Sequence, residues 1–161
     1  MNWVADHIKD LLISPPAVLD LGGRDINGSV RPLFPHAHPY TVVDIHPGEG
    51  VDVVADAATW QPDRTYDVVV AAEVFEHTHV WPAICATAMR ALRPGGRFLA
   101  TMGGPGRQPH SGIDGLFRLL PGDYYANVAP DDLTRVLTSQ GWTDITVDHT
   151  GLDVRAVATK P

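Results

Sequence analysis

The apolar positions of this chain switch repeatedly between helical and strand spacing. MNWVADHIKDLL (1–12) places Trp3, Val4, Ile8, Leu11 and Leu12 on one helical face, and Ser14-Pro15-Pro16 stops the run. AVLDL (17–21) reads as a first strand. The turn after it, GGRDINGSV, carries Gly28-Ser29, which open a short helix reaching Phe34 before Pro35 ends it. YTVVDI (40–45) and VDVVAD (51–56) give a second and a third strand, and the HPGEG between them is too short for a full crossover helix. YDVVVAA (66–72) is almost continuously apolar, as a strand buried on both faces must be, and is expected at the centre of a sheet.

WPAICATAMRAL (81–92) starts with a proline near its first turn, where a missing N–H costs nothing, and stripes Ile84, Ala88, Met89 and Leu92 along one face of a helix. RPGG ends that helix and RFLATM (97–102) is a fifth strand. PDDLTRVLTSQG (130–141) is a helix with acids in its first turn and Gly141 past its end. Two last strands, Trp142–Asp148 and Val154–Thr159, are joined near Thr150-Gly151 and so run antiparallel. This alternation predicts a doubly wound α/β fold: three layers, with a seven-stranded, mostly parallel sheet ending in an antiparallel hairpin. The glycine- and proline-rich stretch from Gly103 to Ala129 has little periodicity, and a connection that long is expected to cover a binding site.

Composition narrows the partners. At 161 residues, 44% hydrophobic and 19% charged, the chain fits one domain spanning 1–161. A formal charge of −7, with the twelve Lys and Arg scattered, leaves no basic footprint for nucleic acid. The lone Cys85 has no disulfide partner and fits a reducing, cytoplasmic setting. Asp6 and Asp10 interrupt any leader-like apolar core, and no stretch approaches the roughly 20 apolar residues of a membrane span.

In an open parallel sheet a ligand sits beyond the carboxyl ends of the strands, where Asp20, Asp44 and Asp56 fall. Asp44 is placed to accept hydrogen bonds from both ribose hydroxyls of a nucleoside, and Asp56 to accept from an exocyclic amine such as adenine N6. Gly22-Gly23 with Gly28 is not the G-x-G-x-x-G of a dinucleotide loop, and an acid just before the turn is awkward beside phosphate. Asp20 suits instead a cofactor with an ammonium group, which points to S-adenosylmethionine.

VLDLGGRDINGS, YTVVDIHPG, DVVADA, YDVVVAAEVFEHT and ALRPGGRFLATM, in this order and spacing, resemble the successive motifs of class I S-adenosylmethionine-dependent methyltransferases. The E-x-x-E-H segment Glu73-Val74-Phe75-Glu76-His77 is closest to the ubiquinone and menaquinone biosynthesis branch. The resemblance implies a Rossmann-like methyltransferase fold with Asp20, Gly22 and Gly23 around the methionine moiety. It also implies Asp44 on the ribose, Ile45 among the cofactor-binding residues, Asp56 and Ala57 near adenine, and Glu73 at the floor. The chain departs from the family's glycine loop at Arg24 and Ile26.

Methyl transfer needs a base only where the nucleophile must lose a proton. Candidates are His77 and Glu76 after the fourth strand, and His110, Asp114, Tyr124 and Tyr125 in the long loop; an imidazole titrating near neutrality is the natural choice. No metal is expected, because magnesium prefers oxygen ligands and EHTH (76–79) is rich in imidazole. The bland readings are that Glu73 and Glu76 form a solvated first turn, that Asp44 and Asp56 cap strand ends, and that the four tryptophans are core, Trp60 excepted if it flanks adenine. The expectation is a methyltransferase acting on a small-molecule acceptor, with a second copy of the chain as a candidate partner and no membrane. Its rivals are a non-catalytic cofactor-binding module or partner subunit, and a small NAD-dependent oxidoreductase.

Overall fold

A computed structural model describes residues 2–9 and 14–161. Among these, β1 (Val18–Leu21), β2 (Tyr40–Asp44), β3 (Val53–Val54), β4 (Tyr66–Ala72), β5 (Leu92–Gly103), β6 (Thr143–Thr150) and β7 (Asp153–Thr159) form one sheet in the order β3-β2-β1-β4-β5-β7-β6. β1 to β5 are parallel, and β7 runs antiparallel to both β5 and β6. The chain winds outward from β1 to β3 and then returns to place β4 on the other side of β1. That reversal opens a crevice at the carboxyl ends of β1 and β4.

Alternate side chains of the central strands feed two apolar layers. Leu19, Leu21, Val69, Ala71, Phe98, Ala100 and Met102 pack against α2 (Trp81–Ala91) and α3 (Pro130–Ser139) through Ile84, Cys85, Ala88, Leu133 and Leu137. On the opposite face Val18, Val68, Val70 and Leu99 meet Val4 of α1 (Asn2–Asp6), Ile8, Val30 and Phe34. That second layer holds far less helix. The segment between β1 and β2 makes only a 3₁₀ turn at Arg31–Leu33, and the β2–β3 and β3–β4 connections have no helix. Long helices cover one side of the sheet, and loops close much of the other.

The predicted boundaries shift where backbone bonding decides them. The first helix, predicted over 1–12, is seen at Asn2–Asp6 with Val4 and Ile8 buried; Leu11 and Leu12 lie outside the described residues. The third strand shrinks from six residues to Val53–Val54, because the carboxylate of Asp52 takes the Val42 N–H at 2.8 Å, and Asp56 turns the chain by accepting the Ala58 N–H. RPGG, expected to be a loop, lies inside β5: Leu92 already pairs with Tyr66, and the register slips between Tyr66 and Val68. Gly95 and Gly96 then exchange backbone bonds with Lys160. Trp60 packs at the core's margin by Tyr66, outside the main cleft, while Trp81 stacks on Phe75 and Trp142 on Phe98.

Candidate functional site

A cleft of about 1260 Å³ opens at the carboxyl ends of β1, β2 and β4 and runs under the 103–129 loop. It exceeds the roughly 300–1,000 Å³ of an ordinary single-ligand site, leaving room for two ligands side by side.

The nucleoside end is built from the turn after β1. Gly22 has φ +78°, and its N–H donates to the Val43 carbonyl at 2.7 Å; a Cβ there would stand 2.5 Å from Val74 Cγ2. Both the left-handed backbone and the close approach of the loop after β4 require glycine at this position. Gly23 lies over the carboxylate of Asp20, leaving no room for a side chain. Asp44 is buried at the end of β2 and accepts the backbone N–H groups of Arg24 (3.2 Å) and His46 (2.8 Å). Each oxygen is thereby fixed in place and keeps a free lone pair. Ile45, 61% exposed, and the buried Ala57 line the same end with Asp56.

Asp20 sits beneath this turn rather than on the cleft wall. Tyr40 donates to its Oδ2 at 2.7 Å while Oδ1 is buried without a partner, and burial pushes the carboxyl up to about 6. Asp20 therefore acts on the turn from below.

The floor begins with Glu73, a non-glycine residue at φ +58° directly after β4. Left-handed backbone costs such a residue about 1 kcal/mol or more, and strain of this kind concentrates at functional sites. It is held by the Thr101 hydroxyl donating to Oε1 at 2.9 Å and by its own N–H on the Thr101 carbonyl. Arg107 Nη1 lies 2.9 Å from Glu73 Oε2 and 2.6 Å from Asp153 Oδ1. Burial works against the guanidinium's charge, but the two carboxylates outweigh it and raise the pKa.

Beyond Glu73, a 3₁₀ turn buries Glu76 completely. Its Oε1 accepts the Gly103 N–H at 2.8 Å and its Oε2 has no partner; burial, then the neighbouring Glu73 charge, push the carboxyl up to about 8. The solvated-turn reading fails for Glu76, which is a neutral acid at neutral pH. His77 is pushed the other way, down to about 4, first by burial and then by His110. Its Nδ1 is buried without a partner. The His77 ring meets the His110 ring edge-on at 4.8 Å and that of Tyr125 at 5.5 Å, and His110 lies 5.0 Å from Tyr125. Glu76, His77 and His110 each bring one ligand atom within 4.8 Å of the others, a set that suits a metal accepting imidazole better than magnesium.

The loop over the floor is tied at both ends. Ala126 N–H donates to the Glu76 carbonyl and Val128 N–H to that of Gly103, each at 2.9 Å. At its far side Arg24 Nη2 reaches the carbonyls of Gly112 (3.2 Å) and Ile113 (3.0 Å). The cleft wall thus gathers Gly22, Asp44, Ile45, Asp56, Ala57, Glu73, His77 and His110, with Glu76, Gly23 and Asp20 packed behind it. Sequence reasoning missed Arg24 as a contact across the cleft, Arg107 as the bridge between Glu73 and Asp153, and Thr101. The departure at Arg24 from the glycine pattern was a visible signal; Arg107 and Thr101 carried none, because their partners are distant in the chain.

A sheet whose order reverses beside β1, a left-handed glycine turn after that strand and an anchored carboxylate ending the next define a Rossmann-like α/β fold. The chain belongs to the methyltransferase-domain family, whose model matches residues 4–147. No curated protein matches it in sequence. Among solved structures, DhpI in complex with S-adenosylhomocysteine is similar, with a TM-score of 0.71 and 22% identity, over 99% of this chain and 84% of its own. So is the 1,6-didemethyltoxoflavin-N1-methyltransferase of Burkholderia thailandensis, with a TM-score of 0.68, 18% identity, and 97% and 76% of the two chains covered. Phosphoethanolamine N-methyltransferase 2 of Haemonchus contortus gives 0.69 and 16%, over 98% of this chain but only 52% of its own.

Proposed function

We propose that this chain, as one domain over 1–161, transfers the methyl group of S-adenosylmethionine to a small-molecule acceptor held between the Glu73–His77 floor and the 103–129 loop. The observation that carries the reading is one continuous cleft with the fixed Asp44 carboxylate at one end and the His77–His110 pair at the other. The residues present suit the cofactor: Asp44 keeps lone pairs for ribose hydroxyls, the bare Gly22-Gly23 turn leaves the backbone open, and Asp20 stands under it with an unpaired oxygen. Ile45, Asp56 and Ala57 form the adenine end. Kinship with the quinone-biosynthesis branch rests on the Glu73–His77 segment alone.

Bound there, S-adenosylmethionine supplies an electrophilic methyl on a good leaving group, so positioning provides on the order of 7 kcal/mol or more of the barrier lowering. The chain's own task is then to orient the acceptor, exclude water and remove a proton. His77, which lines the cleft and is neutral at physiological pH, is the base. His110 closes on it from the loop, and Glu76 holds the loop's return through Gly103 and Ala126. Ile113 and Phe117 contribute apolar wall, which supports an acceptor with an apolar body.

Calorimetry with S-adenosylhomocysteine tests this reading. Binding is expected, and Asp44→Ala should weaken it by about 10- to 100-fold, the loss for hydrogen bonds to a charged acceptor. No binding, or unchanged binding in that variant, would rule out the site. Binding without turnover over a broad acceptor panel would instead favour the non-catalytic module.

A further inference from the structure

Arg24 stands where the glycine-loop pattern has a small residue, and its surroundings give the side chain a task. Its own N–H is on Asp44 Oδ2 at 3.2 Å, so its backbone is fixed beside the carboxylate assigned to the ribose. The side chain then lies against Gly48 in the loop after β2, where a Cβ would come 2.6 Å from Arg24 Cδ. It ends on the Gly112 and Ile113 carbonyls of the 103–129 loop, at 3.2 and 3.0 Å. Among the described residues no carboxylate pairs with it, and its Nε is buried without an acceptor. A second contact lies alongside: Asn27 of the same turn packs against Gly115, which has φ +70° and no room for a Cβ.

One guanidinium thus spans the cleft between the residue that fixes Asp44 and the turn of the loop that covers the acceptor. We propose that Arg24 is a positioning residue that latches the 103–129 loop over the nucleoside end of the cleft, so that loop closure and cofactor retention depend on each other. This rests on the reading of the cleft as an S-adenosylmethionine site. Its physical basis is that two backbone carbonyls accept from a single charged group, bonds that are stronger than neutral ones and that break together when the loop lifts. Glycine at this position would remove both of these bonds and leave the Asn27 contact with Gly115 and the ring contacts of His110 and Tyr124 with the floor.

The test measures the dissociation rate of S-adenosylhomocysteine together with chymotrypsin cleavage of the loop, whose Leu116, Phe117, Leu119 and Tyr124 are exposed. In the wild type, S-adenosylhomocysteine is expected to slow cleavage. Arg24→Ala should raise the dissociation rate about tenfold, as expected for losing charge-assisted bonds, and abolish the protection. Arg24→Lys should fall between, because an ammonium lacks the planar fork. Gly115→Ala, which forces Asn27 and the loop apart from the loop's side, should act in the same direction as Arg24→Ala and decides the matter if that variant does not fold. Wild-type rates and protection in both variants would overturn the latch while leaving the cofactor site standing. Absence of S-adenosylhomocysteine binding in the wild type would overturn the site, and the latch with it.

Discussion

His77 shows how a residue's surroundings set its chemistry. Burial and the facing His110 hold its ring neutral down to about pH 4, where a free histidine would begin to charge near 6.5. If it is the base, kcat/KM should stay level as pH falls through 6.5 and decline only towards about 4. His77→Gln should lower kcat by about 10²- to 10⁴-fold with little effect on S-adenosylhomocysteine binding. A pH–rate profile with an acid limb near 6.5 would place the base elsewhere. Glu73 and Asp44 teach a related lesson: each is a carboxylate at the end of a strand, but one is held by a side chain and strained backbone, the other by two backbone N–H groups.

At the scale of elements, the turn after β1 and the segment after β4 are shaped against each other. Gly22→Ala would suffer twice, from φ +78° and from Val74 Cγ2 at 2.5 Å. A destabilisation of about 1–3 kcal/mol is expected from denaturant melts. Val74→Ala in the same chain should recover the steric part and leave the conformational part, so the two effects should be non-additive. Full additivity would mean that the two segments do not touch as described. The 103–129 loop is likewise an element held by others: Arg107 and the Glu76 and Gly103 backbone bonds at its root, Arg24 at its far side.

Over the whole molecule, Asp20, Glu76 and His77 give stability a pH dependence. Asp20 and Glu76 bind protons more tightly folded than unfolded, with values near 6 and 8 against the ordinary 3.8 and 4.5. Their contribution is complete below those ordinary values and is lost as pH rises, through about 6 for Asp20 and about 8 for Glu76. His77 has the opposite sign: its folded value of about 4 lies below the ordinary 6.5, so its contribution is present above 6.5 and lost as pH falls through 4. Between about pH 4.5 and 6.5 the gain from His77 opposes the losses from Asp20 and Glu76, and above 6.5 only the Glu76 loss remains, so stability is expected to fall from neutrality to about pH 8. Glu76→Gln should flatten the alkaline decline by on the order of a few kcal/mol between pH 6.5 and 9, measured by thermal melts across pH. An unchanged slope would mean that Glu76 does not ionise over that range.

The order and type of the strands, the helices 81–91 and 130–139, and the turn at Gly22 could be read from the chain alone, because apolar periodicity and glycine punctuation are local signals. So could Asp44 as a strand-end carboxylate, because the end of a parallel strand fixes where its last side chain stands. What the tertiary structure decided were matters of partnership. It truncated β3 through the Asp52 bond to Val42, and it drew RPGG into β5 through Tyr66 and Lys160. It also placed Asp20 under the turn instead of in the cleft, buried Glu76, and brought His110 to His77 and Arg24 to Gly112. These contacts join residues 10 to 88 positions apart, and a pattern with a period of two or 3.6 residues carries no information about them.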